Sequence, residues 1–386
     1  MTHVADPDFL IQLKKYGQVN IESCFNCGNC TAICPLSSGN DNFPRRMIRY
    51  GQLGLKDKLL SSRELWLCYS CGECTSTCPR QADPGEFMAA ARRFAIAGYD
   101  RLRLARAMYV SPTVNLLVMF LLSSAIAAAL YSASGPMSEH SLELFSFIPA
   151  VTIHYGGIAV GLAVFVLGLL GAVTMVRSLR AETVSGGETR LDRKSALART
   201  IKEFFTQLNY KRDCNQNESG TAWYLKKWFL HAALFWGFVG LFLATSSDYL
   251  LELVGLRAIG LWVPIWYPVR LLGTLSGAAV LYSVTAIFVR RIRKDNESYR
   301  YSSVSDWYFL AVIWLSVATG LALEFAIYLP GPHQWSYWML LAHLVFAGEL
   351  IILLPYTKFA HIIYRTIAVY YHSLRQVPPT ELAEDK

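Results

Sequence analysis

The chain has 386 residues, of which 53% are apolar and only 17% charged, and that balance excludes an ordinary water-soluble protein of this length. Its formal net charge is +8. The positive residues follow a topological bias described below, so the charge gives no reason to expect a nucleic acid partner.

Thr2 to Leu10 has no basic start and no apolar core, so no cleaved leader is expected. Cys24, Cys27, Cys30 and Cys34, followed by Pro35, form a C-x2-C-x2-C-x3-C-P run, and Cys68, Cys71, Cys74, Cys78 and Pro79 repeat it. This is the ligand spacing of a two-cluster ferredoxin, which holds two [4Fe–4S] clusters. Zinc has no use for a third Cys at the same step and a fourth before Pro. Disulfides require an oxidising compartment, against the cytoplasmic marks of this segment. The fourth Cys of each run usually serves the other cluster. One cluster therefore takes Cys24, Cys27, Cys30 and Cys78, and the second takes Cys68, Cys71, Cys74 and Cys34. Pro35 and Pro79 end the ligand turns, and Gly28 and Gly72 let the backbone approach the sulfide. The ninth cysteine, Cys214, falls in a polar loop and is read as a free thiol without a role.

Between the runs, Met47, Ile48, Leu53, Leu55, Leu59 and Leu60 are spaced for short helices. Phe87 to Ala95 is a strong helix former. Residues 1–108 thus predict an all-helical ferredoxin domain. The stretches FPRRMIRYGQLGLKDKLL, LWLCYSCGECTSTCPR and FMAAARRFA resemble the C subunit of heterodisulfide reductases, over roughly residues 15–100.

From residue 109 the chain changes character. Six apolar spans are expected at about 113–132, 151–176, 227–247, 266–289, 305–328 and 337–362, each near the ~20 residues a helix needs to cross a bilayer. They make residues 109–372 a six-helix membrane bundle, with 373–386 as a cytoplasmic tail. Lys and Arg crowd the loops after the second and fourth spans, from Arg177 to Lys227 and from Arg290 to Arg300, whereas the three opposite loops hold only Arg257. That asymmetry predicts both termini and the cysteine domain on the cytoplasmic side of the inner membrane. The basic loops are suited to anionic lipid headgroups. Glu182 to Thr221 reads as a long linker with mobile Ser-Gly-Gly and Asn-Gln-Asn-Glu-Ser-Gly pieces, or with an amphipathic surface helix over Ala196 to Leu208.

Four of the eight histidines fall in the spans. His154 opens the second span on the outer side and His231 opens the third on the inner side. His343 and His361 lie on the sixth, 18 residues apart, which on one continuous helix is five turns and about 27 Å along one face. Depth then pairs His154 with His343 for an outer haem, and His231 with His361 for an inner one. No C-x-x-C-H run exists, so the haems would be b-type, held by axial bonds. The last five spans resemble, in layout, the cytochrome b subunit of respiratory nitrate reductases. That family takes two ligands from one earlier helix, where this chain offers His154 and His231 on two.

Arg270, just inside the outer end of the fourth span, is placed for a haem propionate or for snorkelling to the surface. Lys358 and Arg365 flank His361 as inner-haem partners or membrane-edge anchors. Glu324 and Glu349 are carboxylates well inside spans, suited either to proton transfer at a quinone or to helix–helix hydrogen bonds. Trp262, Trp266, Tyr267, Trp335 and Trp338 make an outer aromatic belt. Together the parts form an electron wire, and the missing two-electron site is expected on a partner. Over nearly its whole length the chain resembles the C subunit of quinone-interacting membrane-bound oxidoreductase complexes. That resemblance implies menaquinone as the membrane carrier, flavoprotein partners like the A subunit of heterodisulfide reductase, and adenylylsulfate reductase of sulfate respiration as the distal partner. Alternatives are a membrane anchor for heterodisulfide or other sulfur-compound reduction, and a non-catalytic redox sensor.

Overall fold

A computed structural model describes residues 4–37, 42–183, 193–214, 218 and 220–374. The described residues are helical or loop, with no strand among them. Arg190, the two linker pieces expected to be mobile (all but Glu218 and Gly220), and the tail from residue 375 lie outside the described residues, as does the side chain of Cys214.

The N-terminal region is built from short helices: α1 (Phe9–Lys14), α2 (Asn29–Ala32), α3 (Arg45–Gln52), α4 (Lys56–Leu60), α5 (Glu64–Leu67), α6 (Glu73–Ser76), α7 (Pro84–Tyr99) and α8 (Leu104–Val110). The doubled cysteine run folds into a doubled local structure. Asn26 and Ser70, each two residues after the first Cys of its run, take left-handed φ of 66° and 54°, and Gly28 and Gly72 follow at 88° and 96°. Glycine at the second position makes that curl cheap, and the curl starts α2 and α6. The longest helix here, α7, supplies Phe87, Met88, Ala90, Ala91 and Ala95 to a core shared with Phe9, Leu13 and Trp66.

Among the described residues, six helices are long and apolar enough to cross a membrane: α9 (Pro112–Ser132), α11 (Ala150–Thr183), α14 (Lys227–Leu253), α15 (Pro268–Arg293), α16 (Val304–Tyr328) and α17 (Gln334–Ile352). A short α10 (Leu144–Phe147) lies between the first two. The 182–221 segment contains α12 (Arg193–Thr206) and α13 (Leu208–Cys214), in keeping with the amphipathic-helix alternative; Gln207, at φ 50°, breaks one from the other.

One expectation is corrected. The sixth span does not run from 337 to 362 as a single helix. It ends at Ile352, two 3-10 turns follow (Leu354–Tyr356 and Lys358–Ala360), and α18 (His361–Ser373) begins afresh. Pro355 is the cause, since it brings no N–H and crowds the preceding turn. Hydropathy alone runs straight across it. His343 and His361 therefore sit on different helices, and a shared helical face no longer relates them.

The core of the N-terminal region continues into the bundle without a gap. Met119, Met175, Leu353, Tyr356, Tyr364 and Ala368 belong to the same buried cluster as Phe87 and Trp66. The Tyr364 ring centroid lies 5.0 Å from both Trp66 and Tyr99. Arg365 donates from Nη1 to the carbonyls of Trp66 and Leu67, both at 2.9 Å. Arg93 of α7 pairs with Asp306 of α16 at 3.3 Å.

Candidate functional site

The cysteines fall into two groups by proximity. Cys30 lies within electrostatic reach of Cys24, Cys27 and Cys78, whereas Cys34 lies within reach of Cys68 and Cys71. Cys74 is close to Cys68, Cys71 and Cys34, and more weakly to Cys30. Cys34, the fourth Cys of its run, thus sits by the other run's first three, and Cys78 sits by Cys30. Burial pushes the Cys34 thiol up to about 12, opposed by the Leu36 backbone N–H and reinforced by Cys68, Cys71 and Cys30. Burial, then the same crowding, raises Cys74. Buried, mutually repelling thiols of this kind become thiolates when a cationic iron centre compensates their charge, so the donor set fits the group. Backbone amides already aim at sulfur: Ser70 N–H donates to Cys68 Sγ and Ala82 N–H to Cys78 Sγ, each at 3.4 Å. Among the described residues no three such side chains close on a single point, as one metal ion would need. A cubane asks less, because four irons share four thiolates.

His231 and His361 face each other near the ferredoxin end of the bundle, ring centroids 6.2 Å apart. The His231 Nδ1–H donates to Gln207 Oε1 at 2.8 Å, and the His361 Nδ1–H donates to the Lys358 carbonyl at 2.7 Å. Each acceptor is an oxygen, so the proton sits on Nδ1 and both Nε2 lone pairs stay free for an axial metal bond. Both rings line a cavity of about 200 Å³ whose wall also holds Cys68, Trp66, Arg92, Phe235 and Arg365. Arg92 donates to the carbonyls of Leu65 (2.8 Å) and Cys68 and to Ser70 Oγ (3.1 Å), so it ties the second cysteine run to the cavity wall. Facing imidazoles, an apolar lining and two guanidiniums fit a b haem with its propionates.

The other sequence-selected residues are more scattered. His343 donates from Nδ1 to the Ser316 carbonyl at 2.8 Å and lies over Gly320, where a Cβ would come within 3.0 Å of its ring. His154 faces Glu252 at 3.7 Å and Tyr249 edge-on, and no described contact joins it to His343. Arg270 reaches Tyr328 Oη at 3.4 Å. Glu324 accepts from Thr274 Oγ1, and Glu349 accepts from Ser123 Oγ at 2.9 Å and from Tyr308 Oη. Lys358 pairs with Asp306 at 2.6 Å. Sequence reasoning missed Gln207, Trp66 and Arg92. Nothing in the chain marks a polar residue between two surface helices, or a core Trp, as neighbours of His231.

Comparison with known proteins divides the chain the same way. Residues 20–82 match the 4Fe-4S dicluster domain. The C subunit of the H(2):CoB-CoM heterodisulfide,ferredoxin reductase from Methanothermobacter thermautotrophicus is 37% identical over 62 residues, 16% of this chain and 34% of its own. A protein of Archaeoglobus profundus described as like the C subunit of heterodisulfide reductase is 38% identical over 88 residues, covering 22% and 47%. The iron-sulfur C subunit of the CoB--CoM heterodisulfide reductase from Methanopyrus kandleri is 33% identical over 70 residues, covering 16% and 36%. The chain thus spans less than half the length of these curated relatives. No solved structure matches it. The N-terminal region is therefore a heterodisulfide-reductase-C-like iron–sulfur unit on a multi-pass membrane bundle. The bundle, with all four span histidines, has its own match: residues 101–380, well over half the chain, correspond to Citrate utilization protein B, and it is to that family that the chain belongs.

Proposed function

We propose that the chain is the membrane electron-transfer subunit of a quinone-linked oxidoreductase complex. Cys24, Cys27, Cys30 and Cys78 hold one [4Fe–4S] cluster and Cys68, Cys71, Cys74 and Cys34 the other. His231 and His361 hold an inner b haem; His154 and His343 hold an outer one. When bound, these groups supply one-electron transfer between a two-electron carrier in the lipid and a cytoplasmic partner. One observation carries the reading: the cavity that presents two free imidazole nitrogens also has Cys68 on its wall. A proposed cluster ligand and both proposed haem ligands on one enclosure support a short path for the electron.

The residues around that enclosure do the positioning. Gln207 and the Lys358 carbonyl hold the imidazole tautomers, and Arg92 and Arg365 fix the backbone leading into Cys68. The excess of Lys and Arg on the ferredoxin side supports cytoplasmic termini. The likeness to the heterodisulfide reductase C subunit supports flavoprotein partners resembling the A subunit of that enzyme. Menaquinol as donor and adenylylsulfate reductase as distal acceptor rest on the resemblance to quinone-interacting complexes. The family description names citrate utilization, and a partner enzyme of that process is the second reading it favours.

The test is reduction of the protein in liposomes by a menaquinol analogue under anaerobic conditions. Absorbance changes at the haem bands that relax on addition of a cytoplasmic-side oxidant support conduction. Haems inert to quinol contradict it and favour a sensor.

A further inference from the structure

Under the break that follows α17 lies a second, smaller cavity that the electron path does not use. Its volume is about 20 Å³, and its wall includes Tyr109, Asn115, Tyr308, Glu349, Tyr356 and Lys358. Three polar atoms on that wall are buried without a hydrogen-bond partner: Tyr109 Oη, Asn115 Oδ1 and Tyr356 Oη. Asn115 is 1% exposed and Tyr356 4%. Leaving such a group unsatisfied is costly, because its desolvation goes uncompensated. A single water needs about 10–15 Å³ and two to four polar partners, and this space offers both.

Two features connect that space to the rest of the molecule. On the membrane side, Glu349 is fully buried, and its carboxyl accepts from Ser123 Oγ of α9 and Tyr308 Oη of α16. On the ferredoxin side, Lys358 lines this cavity and also a wider one of about 220 Å³ between the cysteine domain and the basic loops. There the Lys358 ammonium meets Asp306, which Arg93 and Arg291 also flank at 3.3 and 3.7 Å. The backbone agrees. Non-helical chain at membrane depth is tolerated where it is buried in protein or lines water, and the Pro355 break delivers Tyr356, Thr357 and Lys358 to the cavity wall.

We propose that this cavity is a hydrated proton-exchange site, in which Glu349 trades its carboxyl proton with the aqueous phase on the ferredoxin side through water held by Tyr109, Asn115 and Tyr356. The proton leaves a Glu349 oxygen for a water oxygen and returns by the same route, and no electron moves. The Asp306–Lys358 pair remains charged and anchors water at the mouth. The site gives the chain a proton route distinct from the His231–His361 cavity. It rests on the chain spanning a bilayer and on neither haem.

The experiment is infrared spectroscopy of the full-length protein in liposomes during exchange from H2O to D2O. A carboxylic C=O band absent in Glu349→Gln identifies the group, and in the wild type it shifts promptly. Asn115→Leu fills the cavity with apolar atoms and slows that shift about tenfold or more, equivalent to ~1.4 kcal/mol of barrier. Tyr356→Phe, which keeps the packing and removes only the hydroxyl, slows it as well. A band that fails to exchange in the wild type, a missing Glu349 band, or unchanged exchange in both variants overturns the proposal.

Discussion

The cysteine domain keeps Phe9, Leu13, Ile21, Met47 and Phe87 at 0% exposure, whereas the spans fully bury only a minority of their residues, 11% of the α9 window and 44% of the α16 window. The two regions answer to different solvents. Water drives the first to hide its apolar residues. Lipid gives the second no such drive, so small residues and polar pairs hold its helices together. Gly237 and Gly240 of α14 show this, for a Cβ at either would collide with Val280 or Ser276 on α15. The candidate redox cavity lies where the two regimes meet, with walls drawn from α5 and α7 on one side and α12, α14 and α18 on the other.

The largest effect expected from breaking that junction is at Cys68. Cys68→Ala removes a proposed ligand of one cluster and should lower bound iron by roughly half in anaerobic iron analysis, while the other cluster's EPR signal persists. Next is the charged tie between the regions. Asp306 is 2% exposed and faces Arg93, Arg291 and Lys358. Asp306→Ala leaves three cations confronting one another and should destabilise the fold by about 3–5 kcal/mol in detergent melts, the range for opening a buried pair. Gly237→Leu tests the lipid-side rule alone. Overpacking against Val280 should cost about 1–3 kcal/mol and leave iron content unchanged.

The smallest effect is electrostatic. Burial raises Glu86 above its usual 4.5, with Arg93 pulling the other way. A raised folded pKa means the native state holds the proton more tightly. Glu86 therefore contributes stability below the ordinary glutamate value, and that contribution is lost as pH rises through the raised one. Melts between pH 4 and 7 should show a steeper fall for the wild type than for Glu86→Gln in that window.

The cysteine runs, Gly28, Gly72 and the six spans, apart from the end of the sixth, were legible because each depends on local spacing or on a long run of one character. The break at Pro355 was missed: a proline inside an apolar run signals an interruption, but the hydropathy of Ile351 to Leu354 and Phe359 to Ile363 carried the sixth span across it. Arg93 and Asp306 were not legible. They lie 213 residues apart, and each alone reads as a helix-surface charge. His231 and His361 lie close together, across a broken helix and not along a continuous one. The neighbours of His154 and His343, Glu252 and the Ser316 carbonyl, were not legible, because what faces an imidazole depends on helix rotation.

The most direct test is cofactor analysis of the purified full-length protein beside its His361→Ala variant, using pyridine haemochrome for protohaem and EPR for the clusters. Protohaem is expected in the wild type, with a partial loss of it in the variant and unchanged iron–sulfur signals in both. A wild-type protein fully loaded with iron–sulfur clusters yet free of protohaem would contradict the proposed electron path.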